Sequence, residues 1–341
     1  MTLADRLVAL WYSPRPSPVT ILLWPFSLVF RTGVALRRAL YRVGILSAAR
    51  LPVPVVVVGN ITVGGSGKTP LVAALARALR ERGYQPGIVS RGFGRNPGDG
   101  APIAVVAGDD PGRVGDEPLL LARAGYPVVV ARDRVAAARE LLVRNPACDV
   151  ILADDGLQHY RLPRRFEIAV VDAARALGNG WLLPAGPLRE PESRLDEVDA
   201  VVTLRDGGGG EPTPATECAF TMTLAAGTFA RVGDARVTTS APSFAGAHVH
   251  AVAGIGNPAR FFRQLGAMGI EAIPHAFPDH HRFVPADLAF VGARSILMTE
   301  KDAVKCEAFA DERCWYLPVH ARVDDALVTL IEERLRGSQT A

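Results

Sequence analysis

Hydrophobic and polar positions follow three regimes along the chain. Over residues 19–30, VTILLWPFSLVF, nearly every position is apolar. The run is shorter than the about 20 residues a membrane-spanning helix needs, and Pro25 interrupts it. No small-residue cleavage site follows cleanly, so it does not read as a signal peptide. At helical period over 26–46, Phe26, Val29, Leu36, Leu40 and Val43 gather on one side and Arg31, Arg38 and Arg42 on the other. A basic face opposite an apolar face, with Trp24 close by, predicts a helix lying in the headgroup layer of a membrane. The competing reading is a helix packed on the protein's own core.

From residue 53 short apolar runs alternate with helical periodicity. Strands are predicted over 53–59, 86–92, 127–132, 148–156, 166–173 and 199–204, and helices over 71–83, 115–125 and 133–145. Continuous apolar strands separated by helices predict a mostly parallel sheet covered on both faces. RDGGGGEPTP, 205–214, is a linker by composition, and 217–234 alternates weakly, as a hairpin would. The third regime repeats the second, with strands over 248–255, 271–277, 295–300 and 314–319 and helices over 257–269, 285–292 and 324–337. The expected organisation is an N-terminal membrane-associated helical segment (1–50), an α/β core (51–205), a linker with a hairpin (206–247) and a second, smaller α/β domain with a closing helix (248–341). A ligand is expected in the cleft between the two α/β units.

Composition narrows the function. The chain has 341 residues, 49% of them hydrophobic and 21% charged, enough for a large core. A net charge of +3 argues against a general nucleic-acid binder. The four cysteines lie far apart with no C-x-x-C, so they read as ordinary thiols rather than zinc ligands. Residues 1–50 carry seven arginines and one acid, Asp5. Of 38 lysines and arginines only Lys68, Lys301 and Lys305 are lysines, leaving 35 arginines.

The strongest chemical signal is GNITVGGSGKTP, 59–70. A buried strand, a glycine-rich turn and a helix starting near Lys68 form the context of a phosphate-binding loop, G-x-x-x-x-G-K-[ST], with Thr62 in place of the first glycine. Backbone N–H groups of Thr62, Val63, Gly64, Gly65, Ser66, Gly67, Lys68 and Thr69 are expected around the nucleotide phosphates. Lys68 is expected to reach the β- and γ-phosphates, and the Thr69 hydroxyl to reach Mg²⁺. The fold this implies is that of a P-loop NTPase. VILADDGLQH, 150–159, ends an apolar strand in Asp154-Asp155, the form of a second metal-site element. Spacing does not say which aspartate contacts Mg²⁺. Gln158 and His159 follow closely and are expected to line the same site. SRGFGR (90–95) adds Arg91 and Arg95 at a strand end, either near a second phosphate or on a solvated loop.

Two further stretches carry acid–base candidates. In GDEP, 115–118, Asp116 is either a helix cap or a carboxylate able to accept a proton from an attacking hydroxyl. FPDHHRF, 277–283, places Asp279, His280 and His281 after a strand. MTEKDAVK, 298–305, holds two of the three lysines but matches the guanine-reading N-K-x-D box too loosely to support guanine specificity.

Taken in order and at this spacing, GNITVGGSGKTP, SRGFGR, GDEP, DDGLQH, LLPAGPLREP (182–191), DHHRF and TEKDAVK resemble the tetraacyldisaccharide 4′-kinase family. The resemblance covers nearly the whole chain. It implies transfer of the γ-phosphate of ATP to the 4′-hydroxyl of a tetraacylated glucosamine disaccharide 1-phosphate, giving lipid IVA, at the cytoplasmic face of the inner membrane. It implies ATP and Mg²⁺ as cofactors and a loop that ordinarily lacks the first glycine. It also implies a catalytic dyad of Asp116 with His280, rather than His281, and a role for Asp154 and Asp155 in Mg²⁺ binding and catalysis. Closure of the two units is expected to bring Asp116 and His280 together. The partners expected are the acylated disaccharide 1-phosphate and the membrane surface, with no nucleic acid and a monomeric protein. The rival readings are a P-loop ATPase or GTPase driving assembly at the membrane, and a peripheral membrane adaptor.

Overall fold

Leu71, Val72, Leu75, Ala76 and Leu79 fall three and four apart, and all are fully buried. They form the inner stripe of the helix that follows the glycine-rich loop, and they seat it on a central sheet. The computed structural model describes residues 3–13, 15–92, 100–205 and 218–337. In chain order its strands are β1 (Val55–Gly59), β2 (Pro86–Ser90), β3 (Ile103–Val105), β4 (Val128–Val130), β5 (Val150–Asp154), β6 (Phe166–Asp172), β7 (Ala200–Arg205), β8 (Ala219–Ala226), β9 (Phe229–Arg231), β10 (Asp234–Thr239), β11 (Val249–Ala253), β12 (Ala272–Ala276), β13 (Ser295–Thr299), β14 (Cys314–Leu317) and β15 (Val319–Val323). The helices are α1 (Leu3–Trp11), α2 (Pro18–Arg42), α3 (Lys68–Glu81), α4 (Pro111–Val114), α5 (Asp116–Arg123), α6 (Arg134–Arg144), α7 (Pro258–Ala267), α8 (Glu300–Cys306) and α9 (Asp325–Arg336).

Two sheets result. The larger has the order β15-β8-β7-β6-β1-β5-β2-β4-β3 and is parallel except at its two edges, where β15 and β3 run antiparallel to their neighbours. The smaller has the order β10-β9-β14-β13-β11-β12, parallel from β14 to β12. The mixed α/β class read from the sequence is correct. Strands β1 and β5 are buried along their whole length, as a sheet covered on both faces requires.

The sheets share the chain differently from the boundaries drawn at 206 and 248. The segment expected to be one hairpin is split. β8 pairs with β7 and β15 in the large sheet, whereas β9 pairs with β10 and β14 in the small one. The predicted strand over 314–319 is likewise two strands in two sheets. The two crossings touch: the Gly227 N–H donates to Pro318 O at 2.9 Å. A side chain at 227 would meet the Pro318 ring at 3.0 Å. The closing helix α9 returns to pack on α3 through Leu327, Ile331 and Leu335. The predicted helix over 285–292 is only a 3₁₀ turn, Pro285–Leu288. Strand β3 was not foreseen, and most of the glycine-rich linker lies outside the described residues.

The N-terminal helix is longer than expected and continues through Pro25. Among the described residues it is the one helix long and apolar enough to cross a membrane. It docks by two polar residues, Thr20 and Ser27, with Phe30 packed against the core. Thr20 and Ser27 are buried, and Ser27 Oγ donates to Leu182 O at 2.8 Å and accepts from the Ala185 N–H at 3.1 Å. Its apolar face points outward, with Leu22 75% and Val29 72% exposed. The arginines also depart from expectation. Arg38 and Arg42 turn to Glu197 on the body instead of forming a free basic face, while Arg31 is exposed.

Candidate active site

The phosphate-binding loop lies where β1 passes into α3. Gly67 caps the helix at φ 82°, and a side chain there would collide with Leu204 Cδ2 at 2.8 Å. Thr62, at the position of the missing glycine, forms an antiparallel bridge with Leu188, and the Val63 N–H donates to Pro187 O at 2.8 Å. The backbones of Thr62 and Val63 are thus tied to the 182–189 segment, which corrects the expectation that Val63 offers its N–H to a phosphate. Asn60, fully buried, binds the loop from within. Its amide donates to Thr62 Oγ1 at 3.2 Å and Gly64 O at 3.3 Å, and its Oδ1 accepts from Lys68 Nζ at 3.1 Å.

Asp154 and Asp155 part company at the end of β5. Thr69 Oγ1 donates to Asp154 Oδ2 at 3.0 Å, while Asp154 Oδ1 is buried with no hydrogen-bond partner. Burial first, and the nearby Glu117 carboxylate second, push the Asp154 carboxyl up to about 7. Asp155 has a left-handed backbone, φ 53°, which swings its side chain to the cations. Arg189 Nη2 and Nη1 donate to it at 2.9 and 3.2 Å, and Lys68 Nζ lies 3.6 Å away. Burial pushes this carboxyl up, but Lys68 and Arg189 outweigh it and hold the group below the usual carboxylate range.

These donors fit a hard divalent cation. Mg²⁺ takes oxygen ligands from one or two protein groups and completes its shell with phosphate and water. The Thr69 hydroxyl and the unpartnered Asp154 oxygen are such groups. Ser66 Oγ, also buried and unpartnered, is a further polar atom left over inside the loop. Asp155 is already committed to Arg189 and Lys68.

The second sheet closes over the loop. Gly256, just beyond β11, lies so near that a Cβ there would sit 2.5 Å from Gly65 N. Arg260 of α7 donates to Asp172, at the end of β6, at 2.5 Å. The C-terminal ends of the parallel strands of both sheets therefore face one another, the usual position of a ligand in such folds.

Across this junction Asp116 meets His280. Gly115, at φ 97°, turns the chain from α4 into α5 and leaves Asp116 as the buried first residue of that helix rather than its cap. His280 follows β12 in a left-handed conformation, φ 58°, and its Nδ1 lies 3.1 Å from Asp116 Oδ2. The pair meets as the two sheets already stand, without the further closure that was expected. Lys301 Nζ donates to Glu117 Oε1 at 3.0 Å and Asp279 Oδ1 at 3.1 Å, and lies 3.3 Å from His280 Nε2. An ammonium has only protons to offer, so Nε2 accepts and Nδ1 carries the hydrogen that bonds Asp116. Lys305 Nζ stands 3.9 Å from Asp116 and 2.6 Å from Asp302. Burial alone would raise the Asp116 carboxyl; the His280 hydrogen bond, with Lys301 and Lys305 behind it, lowers it to about 2. His281 instead bonds Asp287 at 2.9 Å.

Other expected site residues have structural partners. Gln158 Nε2 donates to Glu190 Oε1 at 2.7 Å and Asn60 O at 3.0 Å. His159 Nε2 accepts the Arg134 N–H at 3.3 Å; burial and the Arg134 charge push its imidazole down to about 4. Gln158 is thereby tied to the backbone of Asn60 in the loop, and His159 to the start of α6. Arg91 is exposed at the end of β2, and its companion Arg95 lies outside the described residues. Reasoning from sequence missed Asn60, Glu117 and Arg189. It quoted Lys301 and Lys305 without giving them a place, although the scarcity of lysine was their signal: all three lysines of the chain lie at this site.

Comparison with known proteins is consistent with this geometry. The model of the tetraacyldisaccharide-1-P 4′-kinase family matches residues 19–336. A tetraacyldisaccharide 4′-kinase of Azoarcus sp. (strain BH72) is 56% identical over 94% of this chain and 93% of its own length. The protein of that name from Aromatoleum aromaticum is 52% identical over 94% of this chain and 95% of its own. The crystal structure of LpxK from Aquifex aeolicus in complex with ATP superposes with a TM-score of 0.78 at 28% identity, covering 93% of this chain and 99% of that one. With a nucleotide loop, an Asp–His pair across the junction of the two sheets and this similarity over nearly its whole length, the chain belongs to the tetraacyldisaccharide 4′-kinase family.

Proposed function

We propose that the protein transfers the γ-phosphoryl group of ATP to the 4′-hydroxyl of a tetraacylated glucosamine disaccharide 1-phosphate, giving lipid IVA in lipid A synthesis. The observation that carries this reading is the pairing of buried Asp116 with His280, set by the second sheet beside a phosphate-binding loop on the first.

Phosphoryl transfer passes through a loose transition state, so the acceptor hydroxyl needs orientation more than early deprotonation. Asp116, held ionised by its neighbours, accepts a hydrogen bond from the 4′-hydroxyl and takes its proton late, as the new P–O bond acidifies it. The Nδ1–H of His280 fixes the carboxylate, and Lys301 fixes the tautomer of His280. Lys68 leaves Asn60 and Asp155 for the phosphates of ATP, and Arg189 keeps Asp155 charged meanwhile. Thr69 and Asp154 would hold Mg²⁺, which when bound neutralises charge on the phosphate oxygens.

The outward apolar face of α2 supports action at a membrane. Pulling acyl chains from a bilayer costs about 0.8 kcal/mol per methylene, so the enzyme comes to the lipid. We assign it to the cytoplasmic face of the inner membrane, where ATP is present, acting as a monomer held on the surface by this helix.

The test is an assay with γ-labelled ATP and a detergent-dispersed acylated disaccharide 1-phosphate. Label in the lipid is the expected result. Release of labelled inorganic phosphate with none in the lipid would sink the reading in favour of an ATPase. Asp116→Asn is expected to lower kcat about 10²- to 10⁴-fold, the range for a positioned proton acceptor.

A further inference from the structure

Asp302 is a fully buried residue to which the reaction above gives no part. It stands in the first turn of α8, three places after the cap Thr299, whose hydroxyl accepts the Asp302 N–H at 3.2 Å. An acidic side chain at this position ordinarily bonds back to the cap's own N–H. Here the carboxylate reaches across the fold instead. Its Oδ2 accepts from the Gly254 N–H at 2.9 Å and from the Thr299 hydroxyl at 2.6 Å, and its Oδ1 lies 2.6 Å from Lys305 Nζ.

Each of these partners leads to the Asp116–His280 pair. Gly254, just beyond β11, accepts the His280 N–H through its carbonyl at 3.2 Å. His280 needs such a hold, because its left-handed backbone is costly for a residue with a side chain. The chain is tight at this point: a Cβ on Gly254 would lie 3.1 Å from Asp302 Oδ1 and 3.3 Å from Phe283 Cε2. Thr299 starts the helix whose Lys301 reaches His280 Nε2.

Lys305 connects Asp302 with Asp116 directly. Its side chain is only 9% exposed and sits between the two carboxylates, 2.6 Å from Asp302 and 3.9 Å from Asp116. A buried ammonium needs a close counter-charge, and Asp302 is the nearer one. The unequal spacing suits the chemistry. A cation in contact with Asp116 would oppose its taking a proton. Held back at the greater distance, Lys305 keeps the carboxylate ionised and leaves its oxygens to the acceptor hydroxyl.

We propose that Asp302 is a positioning residue for the proton transfer: through Gly254 it fixes the backbone of His280, and by its charge it holds Lys305 off Asp116. The proposal rests on the kinase reading above and deepens it, with no covalent change at Asp302 itself.

Lipid phosphorylation is measured per ATP-binding site, beside NMR of the His280 ring. Asp302→Asn keeps an oxygen for Gly254 and Thr299 but removes the charge that restrains Lys305. It is expected to lower kcat about tenfold, the effect of one closer cation on a carboxylate, with KM for ATP unchanged. It is also expected to move the Nδ1–H proton resonance of His280 upfield, as Asp116 turns from the ring toward Lys305. Asp302→Asn/Lys305→Met removes the unbalanced cation too, and is expected to regain most of the lost rate. An Asp302 that served stability alone would change the folded fraction and leave both the rate per site and the resonance where they were. Should the double variant misfold, the resonance in Asp302→Asn decides. An unchanged kcat in Asp302→Asn, a double variant slower than the single one, or an unmoved Nδ1–H resonance would overturn the proposal. Failure of the native enzyme to label the lipid would overturn the kinase reading instead. The resonance shift needs no turnover, so it tests the role of Asp302 in either case.

Discussion

Helices α2 and α3 are opposite solutions to the same packing problem. On α3 the apolar stripe of Leu71, Leu75 and Leu79 is fully buried and the polar residues look outward. On α2 the buried residues are Thr20 and Ser27, and Leu22, Phe26 and Val29 look outward. A helix in water hides its apolar side, each large apolar side chain gaining about 1.5–3 kcal/mol. One that docks chiefly through hydroxyls and a single phenyl ring, Phe30, and leaves most of its apolar side uncovered is shaped for a second, apolar solvent. The lesson is that amphipathicity reports two faces without saying which of them meets the protein.

The largest expected effect tests that inversion directly. Leu75→Ala should cost about 2–5 kcal/mol of stability. Leu22→Ala, at a position 75% exposed, should cost less than about 0.5 kcal/mol in denaturant unfolding. Equal losses would mean that α2 is an ordinary core helix. Ser27→Ala removes one partner from two buried hydrogen bonds and should cost about 1–3 kcal/mol, read by the same unfolding experiment. If it costs nothing, the hydroxyl docking of α2 is incidental.

The same outward face should govern partition to vesicles. Replacing Leu22, Phe26 and Val29 together by Ser should weaken sedimentation with liposomes about tenfold or more, while ATP binding is unchanged. Unchanged sedimentation would move membrane contact to another surface.

At the catalytic end, Lys301→Met removes a cation beside Asp116 and should raise that carboxyl from about 2 toward its ordinary value. The shift is read by ¹³C NMR of the carboxylates, with the proton on His280 followed by ¹⁵N NMR. An unmoved titration would deny Lys301 its positioning role.

The smallest effect concerns His159. Its folded pKa, about 4, lies below the ordinary 6.5, so the neutral form stabilises the fold above pH 6.5. That contribution is lost as pH falls from 6.5 through 4, where the unfolded chain binds a proton the folded one refuses. The side chain is partly exposed, so solvent screening limits the loss to about 1 kcal/mol. His159→Gln should flatten the stability curve in that interval.

Much of the site was legible because its signals are local. A phosphate-binding loop is one strand, one turn and one helix, and Asp154 ends the neighbouring strand. Choosing His280 over His281 needed the family resemblance, since adjacent residues diverge and only the left-handed backbone at 280 aims its ring at Asp116. Arg189 and Asn60 were invisible because their partners stand far away in the chain, as in the 129-residue separation of their contact. The same distance hid the splitting of the 217–234 segment between sheets.

The sequence by itself determined the class of fold, the nucleotide loop, the paired aspartates and the presence of an amphipathic N-terminal helix. Each rests on periodicity or spacing within one or two elements, where covalent geometry fixes which side chains share a face. Tertiary structure alone decided which face of α2 meets the body, which sheet receives β8 and β15, which of the paired aspartates is taken by Lys68 and Arg189, and that all three lysines converge on one site. Those outcomes depend on long-range pairing and on competition among charges that meet only after folding, for which the linear order of residues carries no local sign.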